Sequence, residues 1–268
     1  TKNFEWSVGV NFARNRNKVV DLIEGVQSIR LATFPFSASI EAREGEAYGT
    51  IVGTDFTYDA NGNKLVDADG FYVATPTPVP LGSVLADFTG GATTALTYRG
   101  VSLSILVDYQ KGGQLFSLSN MWGKYSGLLE ETAENGVREN GIIAEGVYEE
   151  GSVVNGEDVS GQPNKTSVAA IDHFFVNQGY FIARADLYDA SYLKLREARV
   201  SWSMPRKWFN NKVENLSLSL VGRNLAILFK NVPNIDPEAA LSAGNVQGSE
   251  GGQLPTERSI GFNLTVGF

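Results

Sequence analysis

The last ten residues of the chain alternate strictly between apolar side chains and small or polar ones. Because successive side chains of a β-strand point to opposite faces, this segment predicts a strand with one apolar face. The apolar members are Ile260, Phe262, Leu264, Val266 and Phe268. Ten residues are about the length that a tilted strand needs to cross a bilayer. We therefore expect a membrane strand whose apolar side chains face lipid.

Five further segments carry a similar alternation. They are 4–13, 94–98, 101–110, 191–204 and 216–221. Arg99-Gly100 separates two of these segments and predicts a tight β-hairpin turn. The apolar positions are odd at Leu193 and Leu195 but even from Ala198 onward. This phase change predicts either a β-bulge or a transition from an extramembrane extension to a membrane-embedded half.

The connections between these segments alternate between short and long. The connections at 99–100 and 205–214 are short or moderate, whereas 15–87, 111–190 and 226–257 are long and rich in Gly, Asn, Asp and Glu. Short turns on one side and long loops on the other are typical of outer-membrane β-barrels. The pattern predicts an all-β fold, an antiparallel transmembrane β-barrel, with three long extracellular loops.

Six strands are too few for such a barrel. The smallest single-chain barrels have about eight strands, and an open strand edge cannot face lipid. The chain begins at Thr1 without an initiator Met. We therefore expect 1–268 to be the C-terminal part of a longer gene product whose plug domain and earlier strands are absent.

Composition excludes several classes of protein. A net charge of −8 argues against nucleic-acid binding, which needs clustered Lys and Arg. The chain has no cysteine, which excludes disulfides, cysteine-ligated zinc and thiol catalysis. No stretch is long and apolar enough for a transmembrane helix. We predict no cofactor.

A series of motifs, in a fixed order, resembles the C-terminal part of SusC-like (RagA-like) TonB-dependent transporters of Bacteroidetes outer membranes. The most specific motifs are Asn234-Ile235-Asp236-Pro237-Glu238 and the segment 251–264, which begins Gly-Gly-Gln-Leu-Pro-Thr-Glu-Arg. The others are 11–20, 45–49, 87–91, 108–113, 191–197 and 222–225. Ala47 replaces the proline that is usual in the second of these.

The resemblance implies that this chain is the last six or so strands of a 22-stranded barrel with an internal plug. It implies import of a bulky nutrient, an oligosaccharide first and an oligopeptide second. It also implies three partners: a SusD-like surface lipoprotein, TonB acting through the missing plug, and outer-membrane lipid. Two other interpretations stay open, a soluble all-β extracellular carbohydrate-binding or structural module and an outer-membrane enzyme.

Aromatic residues fall into two groups. Those on strands suit the interfacial girdles of a barrel: Trp6, Tyr98, Tyr109, Trp202 and Phe268. Those in the longest loop are candidates for substrate contact: Trp122, Tyr125, Tyr180 and Phe181. Aromatic rings stack on sugars and pack against peptides, but packing among the loop residues themselves is an equal alternative.

Three polar features have structural and functional interpretations. Asp59, Asn61, Asp67 and Asp69 are weak calcium candidates, but they lack the EF-hand pattern, and Asn-Gly and Asp-Gly favour hairpin turns. The acidic segment 130–158 predicts a solvated surface loop, with partner docking or divalent-ion bridging as alternatives. His173 is the only histidine, and no Gly-x-Ser-x-Gly motif accompanies it, so we predict a packing role and no catalytic residues.

Overall fold

The computed structural model describes residues 3–34, 36–209, 212–241, 244 and 247–267. Strands dominate, and only short helices lie between them. The strands are β1 (Phe4–Ala13), β2 (Ser28–Thr33), β3 (Ala38–Arg43), β4 (Thr50–Gly53), β5 (Leu65–Val66), β6 (Val79–Ser83), β7 (Ala86–Tyr98), β8 (Val101–Gly112), β9 (Gln114–Ser117), β10 (Ile142–Ile143), β11 (Val147–Tyr148), β12 (Val153–Val154), β13 (Glu157–Asp158), β14 (Ser167–Val168), β15 (Leu187–Asp189), β16 (Tyr192–Met204), β17 (Asn215–Lys230), β18 (Ser249–Glu250) and β19 (Ser259–Gly267). The α-helices are α1 (Leu118–Tyr125), α2 (Val137–Asn140) and α3 (Ala170–Val176).

Six long strands form one antiparallel sheet, which we call the wall. Its order is β1-β7-β8-β16-β17-β19, so the six wall strands follow one another in the sheet in the order in which they occur along the chain. All six strands were anticipated by the alternation. β7 is longer than predicted, because its first half contains Gly90 and Gly91 and shows little apolar alternation. No helix of the described ranges is long and apolar enough to cross a membrane.

The register places apolar side chains of all six strands in rows across one face of the wall. Two such rows are Phe4–Tyr98–Val101–Trp202–Leu218–Leu264 and Trp6–Leu96–Leu103–Val200–Leu220–Phe262. The opposite face carries small polar residues that pair across strands. Thr97 bonds Ser102 at 2.8 Å, and Ser201 bonds Ser219 at 2.8 Å. The wall therefore has one apolar and one polar face.

The predicted phase change of β16 is a β-bulge at Arg196. The register of β16 shifts between Leu195 and Glu197 in its pairing with both β8 and β17. One extra residue in the strand keeps Leu195 and Ala198 on the same face, although their spacing is odd. The bulge thus preserves the apolar face along the whole strand, and the first of the two predicted alternatives is confirmed.

Aromatic side chains mark both ends of the apolar face. Trp202 packs edge-on against Trp208, with ring centroids 5.6 Å apart, near the short turns. Phe88 contacts Phe12 and Tyr109 at 5.5 Å and 5.8 Å at the end with the long connections. Phe88 and Tyr98 are ten residues apart on β7, roughly 33 Å of strand. At a tilt of about 40° this distance corresponds to roughly 25 Å, the height of the apolar band of an outer-membrane barrel.

The long connections, 14–85, 113–191 and 231–258, fold together at one end of the wall into a structure that we call the cap. The cap contains a four-stranded sheet, β2-β3-β4-β6, and a three-stranded sheet, β15-β9-β18. Its main core consists of Phe34, Ala38, Ile40, Ile51, Leu81, Phe116, Leu118, Met121 and Ala183. A second cluster, Leu115, Ala190 and Val232, joins the third connection to the second. Among the described residues, these cores lie in the cap and not between wall strands.

Candidate functional site

Six partly exposed aromatic rings of the cap form a continuous surface, which we call the aromatic belt. Its members are Phe36, Trp122, Tyr125, Phe175, Tyr180 and Phe181, each 40–49% exposed. The ring centroids of successive members lie 4.5–6.2 Å apart: Trp122–Phe36, Phe36–Tyr180, Tyr180–Phe181, Phe181–Phe175 and Phe175–Tyr125. The structure thus brings together all four aromatic residues that the sequence singled out. Large apolar side chains grouped at a surface mark a binding site more often than isolated ones do.

Helix α1 supplies two belt residues because its other face is buried. Leu118 and Met121 pack into the cap core, while Trp122 and Tyr125, three residues apart, share the exposed face. Ser117 is the N-cap residue of the helix, and its hydroxyl accepts a hydrogen bond from the Asn120 N–H at 3.0 Å. This anchoring fixes the direction in which the two exposed rings point.

Phe36 occupies an unusual backbone conformation within the belt. Its φ of +75° lies in the left-handed region, which costs a bulky residue about 1–3 kcal/mol. The Ser37 hydroxyl donates to the Gly179 carbonyl and so holds this segment against the Tyr180 turn. Two residues earlier, Phe34 is fully buried against Phe116. The strained position therefore keeps the Phe36 ring at the surface, between Tyr180 and Trp122.

Phe36 and Phe175 were not among the predicted contact residues. The sequence contained only local indications of these two contact residues. Phe36 follows Phe34 at an interval of two, and Phe175 ends the aromatic run after His173. Phe175 joins the predicted rings because α3 packs against α1 and brings it to Tyr125. Phe36 joins them because its segment is held against the Tyr180 turn. Spacing within one segment cannot reveal such a contact.

His173 has a packing role in the structure. Its Nδ1 lies 3.1 Å from the Asn177 amide nitrogen, and its ring packs edge-on against Tyr72 and Phe174. Burial and then the nearby Lys124 ammonium lower the pKa of His173 to about 4, so the ring is neutral at neutral pH. No serine–carboxylate pair accompanies it among its described contacts.

The four weak calcium candidates lie in Asx-type turns. The Asp59 carboxylate accepts bonds from the backbone N–H groups of Asn61 and Asn63, both at 2.8 Å. Asp67 accepts in the same way from Asp69 and Phe71. Among the described residues, no group of three or more acidic, His or Cys side chains converges. The geometry favours the hairpin-turn interpretation.

The acidic side chains of 130–158 point mainly to solvent. Of the nine predicted carboxylates, eight are exposed, and Glu149 is half-buried. The segment nevertheless has structure of its own, with α2, two 3₁₀ turns and four short strands. The docking interpretation of this segment stays a prediction.

A buried ionic network, absent from the predicted site residues, anchors the third connection to the wall. Lys194, on β16, donates to Asp236 and Glu238 at 2.5 Å each. Arg196, at the bulge, binds Asp108 of β8 through two bonds of 2.7 and 2.8 Å and also binds Glu238. At the bulge, Arg196 therefore contacts both Asp108 of β8 and Glu238 of the third connection. Three of the motifs behind the family resemblance meet in this network.

Asp236 is the most strongly perturbed carboxyl of the network. Burial raises its pKa, but hydrogen bonds from Lys194, from the Glu238 N–H and from Thr256 outweigh that effect and bring the pKa to about 2. The Thr256 hydroxyl bond measures 2.7 Å. Asp236 therefore joins two distant parts of the third connection to β16.

A second carboxylate of the third connection reaches helix α1. Glu250 is 1% exposed and accepts bonds from the Ser119 N–H at 3.1 Å and the Ser119 hydroxyl at 2.8 Å. It also accepts from the hydroxyl of Ser117, the N-cap residue. A carboxylate at a helix N-terminus is stabilised by the helix dipole. Glu250 thus couples the position of the third connection to the helix that carries Trp122.

Along β19, Ile260, Phe262, Leu264 and Val266 extend from the apolar face with exposures of 43–82% in this chain. Phe268, the last predicted member of this set, lies outside the described residues. Of the predicted girdle residues, Trp6, Tyr98, Tyr109 and Trp202 lie on the apolar face of the wall.

The chain is similar over its whole length to two receptors of Formosa agariphila. It is 26% identical over 294 residues to TonB-dependent receptor P26, covering 100% of this chain and 28% of that protein. It is 23% identical over 297 residues to TonB-dependent receptor P3, covering 27% of that protein. The chain thus spans less than a third of the length of these relatives. No protein-family model matches it.

Among solved structures, the chain is similar to the RagAB peptide transporter. The TM-score is 0.64 at 17% identity, and the match covers 99% of this chain and 27% of that one. The closed-closed state of the RagAB peptide importer gives a TM-score of 0.60 at 20% identity, covering 99% of this chain and 28% of that one. At this identity the likeness concerns the fold.

These matches confirm the resemblance to SusC/RagA-like TonB-dependent receptors. They also confirm the predicted fold class and location: the wall is part of an antiparallel transmembrane β-barrel of the outer membrane. The fold class and the location argue against the interpretation as a soluble module. The relatives are receptors and transporters, which is consistent with a protein that is not an enzyme.

Proposed function

We propose that this chain is the C-terminal part of a TonB-dependent transporter that imports a bulky nutrient across the outer membrane. The observation that carries the proposal is the combination of whole-length similarity to TonB-dependent receptors with a wall that has one apolar face. The apolar face, including Ile260 to Val266, contacts lipid, and the polar face lines the lumen. The cap forms part of the extracellular surface that receives the nutrient.

The nutrient is an oligosaccharide in our first proposal and an oligopeptide in the second. Sugar rings stack on exposed aromatic faces, and the aromatic belt offers several such faces within one surface. An oligopeptide is the second candidate because the solved transporters with this fold are named as peptide importers. Both nutrients are too large for passive diffusion through a narrow pore.

Two further partners complete the proposed mechanism. A SusD-like surface lipoprotein covers the cap and presents the nutrient, and TonB supplies energy through a plug encoded elsewhere in the gene product. No covalent chemistry takes place in this segment. The contribution of the chain is to close the barrel wall and to contact nutrient and lipoprotein through the cap.

The experiment that tests the proposal is uptake by intact cells that express the full-length transporter with its lipoprotein. Labelled oligosaccharides and oligopeptides of matched size are supplied with and without an uncoupler of the proton gradient. We expect accumulation of one class, and its loss on uncoupling. Uptake of small solutes alone, or uptake that survives uncoupling, would contradict the proposal.

The role of the aromatic belt is tested by substitution. Trp122→Ala and Tyr180→Ala should each weaken nutrient binding about tenfold, a loss of ~1.4 kcal/mol. Tyr58→Ala is the matched control, because Tyr58 is 46% exposed in the same cap but lies outside the belt. Equal effects of all three substitutions would exclude the belt as the contact surface.

A further inference from the structure

Two cavities adjoin each other in the cap, next to the aromatic belt. The first, of about 300 Å³, is lined by Tyr125, Arg138 and Ile171 among others. The second, of about 340 Å³, is lined by Phe56, Lys64 and Tyr72 among others. Lys124 and Phe174 line both cavities, so the two are neighbours along one surface. Each volume lies at the lower end of the range of small-molecule sites, about 300–1,000 Å³.

The two cavities are basic in an acidic chain. Their side chains include four cations, Lys64, Lys124, Arg138 and Arg184, and one carboxylate, Glu131. The chain as a whole has a net charge of −8. A local excess of positive charge within such a chain is a feature of the site and not of the overall composition.

Two of these cations are already neutralised. The Lys124 ammonium lies 2.6 Å from the buried Asp186 carboxylate, and Arg184 lies 3.1 Å from Asp55. They hold the cap together, because each joins segments that are far apart along the chain. Their charges are therefore not free to bind a ligand.

Lys64 is different. Its ammonium lies 3.7 Å from the ring centroid of Phe56 and 4.6 Å from that of Tyr72. No carboxylate of the described residues lies within ion-pair distance of it; Glu145 and Asp55 act on it from farther away. Burial lowers the pKa of Lys64. An anionic group entering the cavity would place a counter-charge nearer to the ammonium than Glu145 or Asp55.

Arg138 lacks a carboxylate partner in the same sense. Its Nε donates to the Thr132 carbonyl at 2.8 Å, and its Nη2 donates to the Gly127 carbonyl at 2.7 Å and the Thr132 hydroxyl at 3.1 Å. These neutral acceptors fix the guanidinium at the first cavity, and no described carboxylate is paired with it. Because Nε and Nη2 already donate to these acceptors, Nη1 is the part of the guanidinium that can donate to a ligand carboxylate.

We propose that these adjoining cavities bind an acidic oligosaccharide. Its carboxylates pair with Lys64 and Arg138. The inference rests on the proposed import function and narrows the nutrient to saccharides that carry carboxylates. The aromatic belt next to the first cavity extends the same surface for stacking.

The test is binding of uronic-acid oligosaccharides by the purified full-length transporter with its lipoprotein. The probes are tetramers of galacturonate, mannuronate and guluronate, each compared with its carboxyl-reduced, neutral form. At least one acidic tetramer should bind about tenfold or more tightly than its reduced form, and this preference should shrink as salt screens the charges. Equal Kd values within every pair would overturn the inference.

Substitutions then locate the contact. Lys64→Met keeps an unbranched side chain between the two rings and removes the charge, so acidic tetramers should bind about tenfold more weakly while neutral ones are unaffected. Lys165→Met, an exposed lysine of the same cap that lines neither cavity, is the matched control. Unchanged acidic binding in Lys64→Met would also overturn the inference.

Failure of the inference and failure of the proposed function give different results. If neutral oligosaccharides bind and are imported as well as acidic ones, the import function stands and the acidic specificity is wrong. If no saccharide is imported but peptides are, the first choice of nutrient is wrong, and the inference falls with it. An acidic peptide that binds in a Lys64-dependent manner would overturn the saccharide assignment in the same way.

Discussion

At the scale of single residues, neighbours on one strand have opposite surroundings. Leu264 lies in a row with Leu218 and Trp202 on the apolar face, whereas Asn263 lies opposite Ser219 on the polar face. Because side chains alternate between faces, the two positions share a depth in the membrane and differ in the medium they meet. Adjacent substitutions can therefore separate the effect of lipid from the effect of strand disruption.

Leu264→Arg should damage barrel assembly, and Asn263→Arg should not. Leu264 is near the middle of β19, where Arg on the lipid face costs roughly 2–4 kcal/mol. The measurement is the folded fraction of the full-length barrel in outer membranes, read from its heat-modifiable migration on gels. If both variants assemble equally well, the assignment of the two faces to lipid and lumen is wrong.

Asp236 should make attachment of the third connection sensitive to acid. Its pKa is lowered from the ordinary value of 3.8 to about 2. A carboxylate with a lowered pKa contributes stability that is complete above its unfolded pKa and is lost as pH falls through its folded one. We expect attachment to weaken between pH 4 and pH 2, by roughly 1–2 kcal/mol.

Hydrogen exchange of the amides in 231–258, corrected for the intrinsic pH dependence, measures this loss. Asp236→Asn should exchange faster than the wild type at pH 6 and show less further change on acidification. Thr256→Val removes one hydrogen bond to the carboxylate but leaves it in place, so this variant should keep the acid sensitivity. An acid response of equal size in Asp236→Asn would assign the sensitivity to another group.

At the scale of elements, the wall was predictable and the cap was not. A wall strand can be recognised from its own sequence, because apolar side chains for the lipid face alternate with small or polar ones for the other face. Phe4–Ala13 is an example. The cap core joins residues such as Phe34 and Phe116, which are distant along the chain and belong to segments without periodicity. The candidate aromatic residues could be identified by type. Their contacts with Phe175 and Phe36 depend on tertiary packing, of α1 on α3 and of the Phe36 segment on the Tyr180 turn.

The β-bulge at Arg196 keeps the apolar side chains of β16 on one face of the wall, and this role can be tested. Deleting Arg196 removes the extra residue, so Leu193 and Leu195 would exchange faces relative to Ala198. Deletion should therefore reduce barrel assembly far more than Arg196→Ala, which keeps the bulge and loses only the ion pairs with Asp108 and Glu238. Assembly of the two variants in outer membranes is compared directly. Equal assembly would mean that the side chain, and not the bulge, maintains the strand.

At the scale of the whole molecule, two parts are stabilised by different means. The wall is held by strand pairing and by lipid on its apolar face, since its large apolar side chains such as Trp6 and Phe262 remain exposed within this chain. The cap has a core of its own and is tied to the wall through ionic contacts, such as those of Lys194, and through hydrogen bonds, such as that from the Gly112 N–H to the Ser191 hydroxyl. The proposed nutrient-binding surface can thus vary with the cap while the wall keeps its pattern.

This division predicts that a core substitution in the cap leaves the barrel intact. Phe116 is fully buried, stacks on Phe34 at 5.8 Å and packs against Gly179, next to the belt. Phe116→Ala should destabilise the cap by about 3–5 kcal/mol, so external protease should cleave the cap faster on intact cells. Heat-modifiable migration of the barrel should be unchanged, because the main core, as far as the described residues show, lies outside the wall strands. Phe175→Ala, which removes a 40% exposed ring, should leave cleavage near the wild-type rate. Loss of the folded barrel in Phe116→Ala would show instead that wall and cap fold as one cooperative unit.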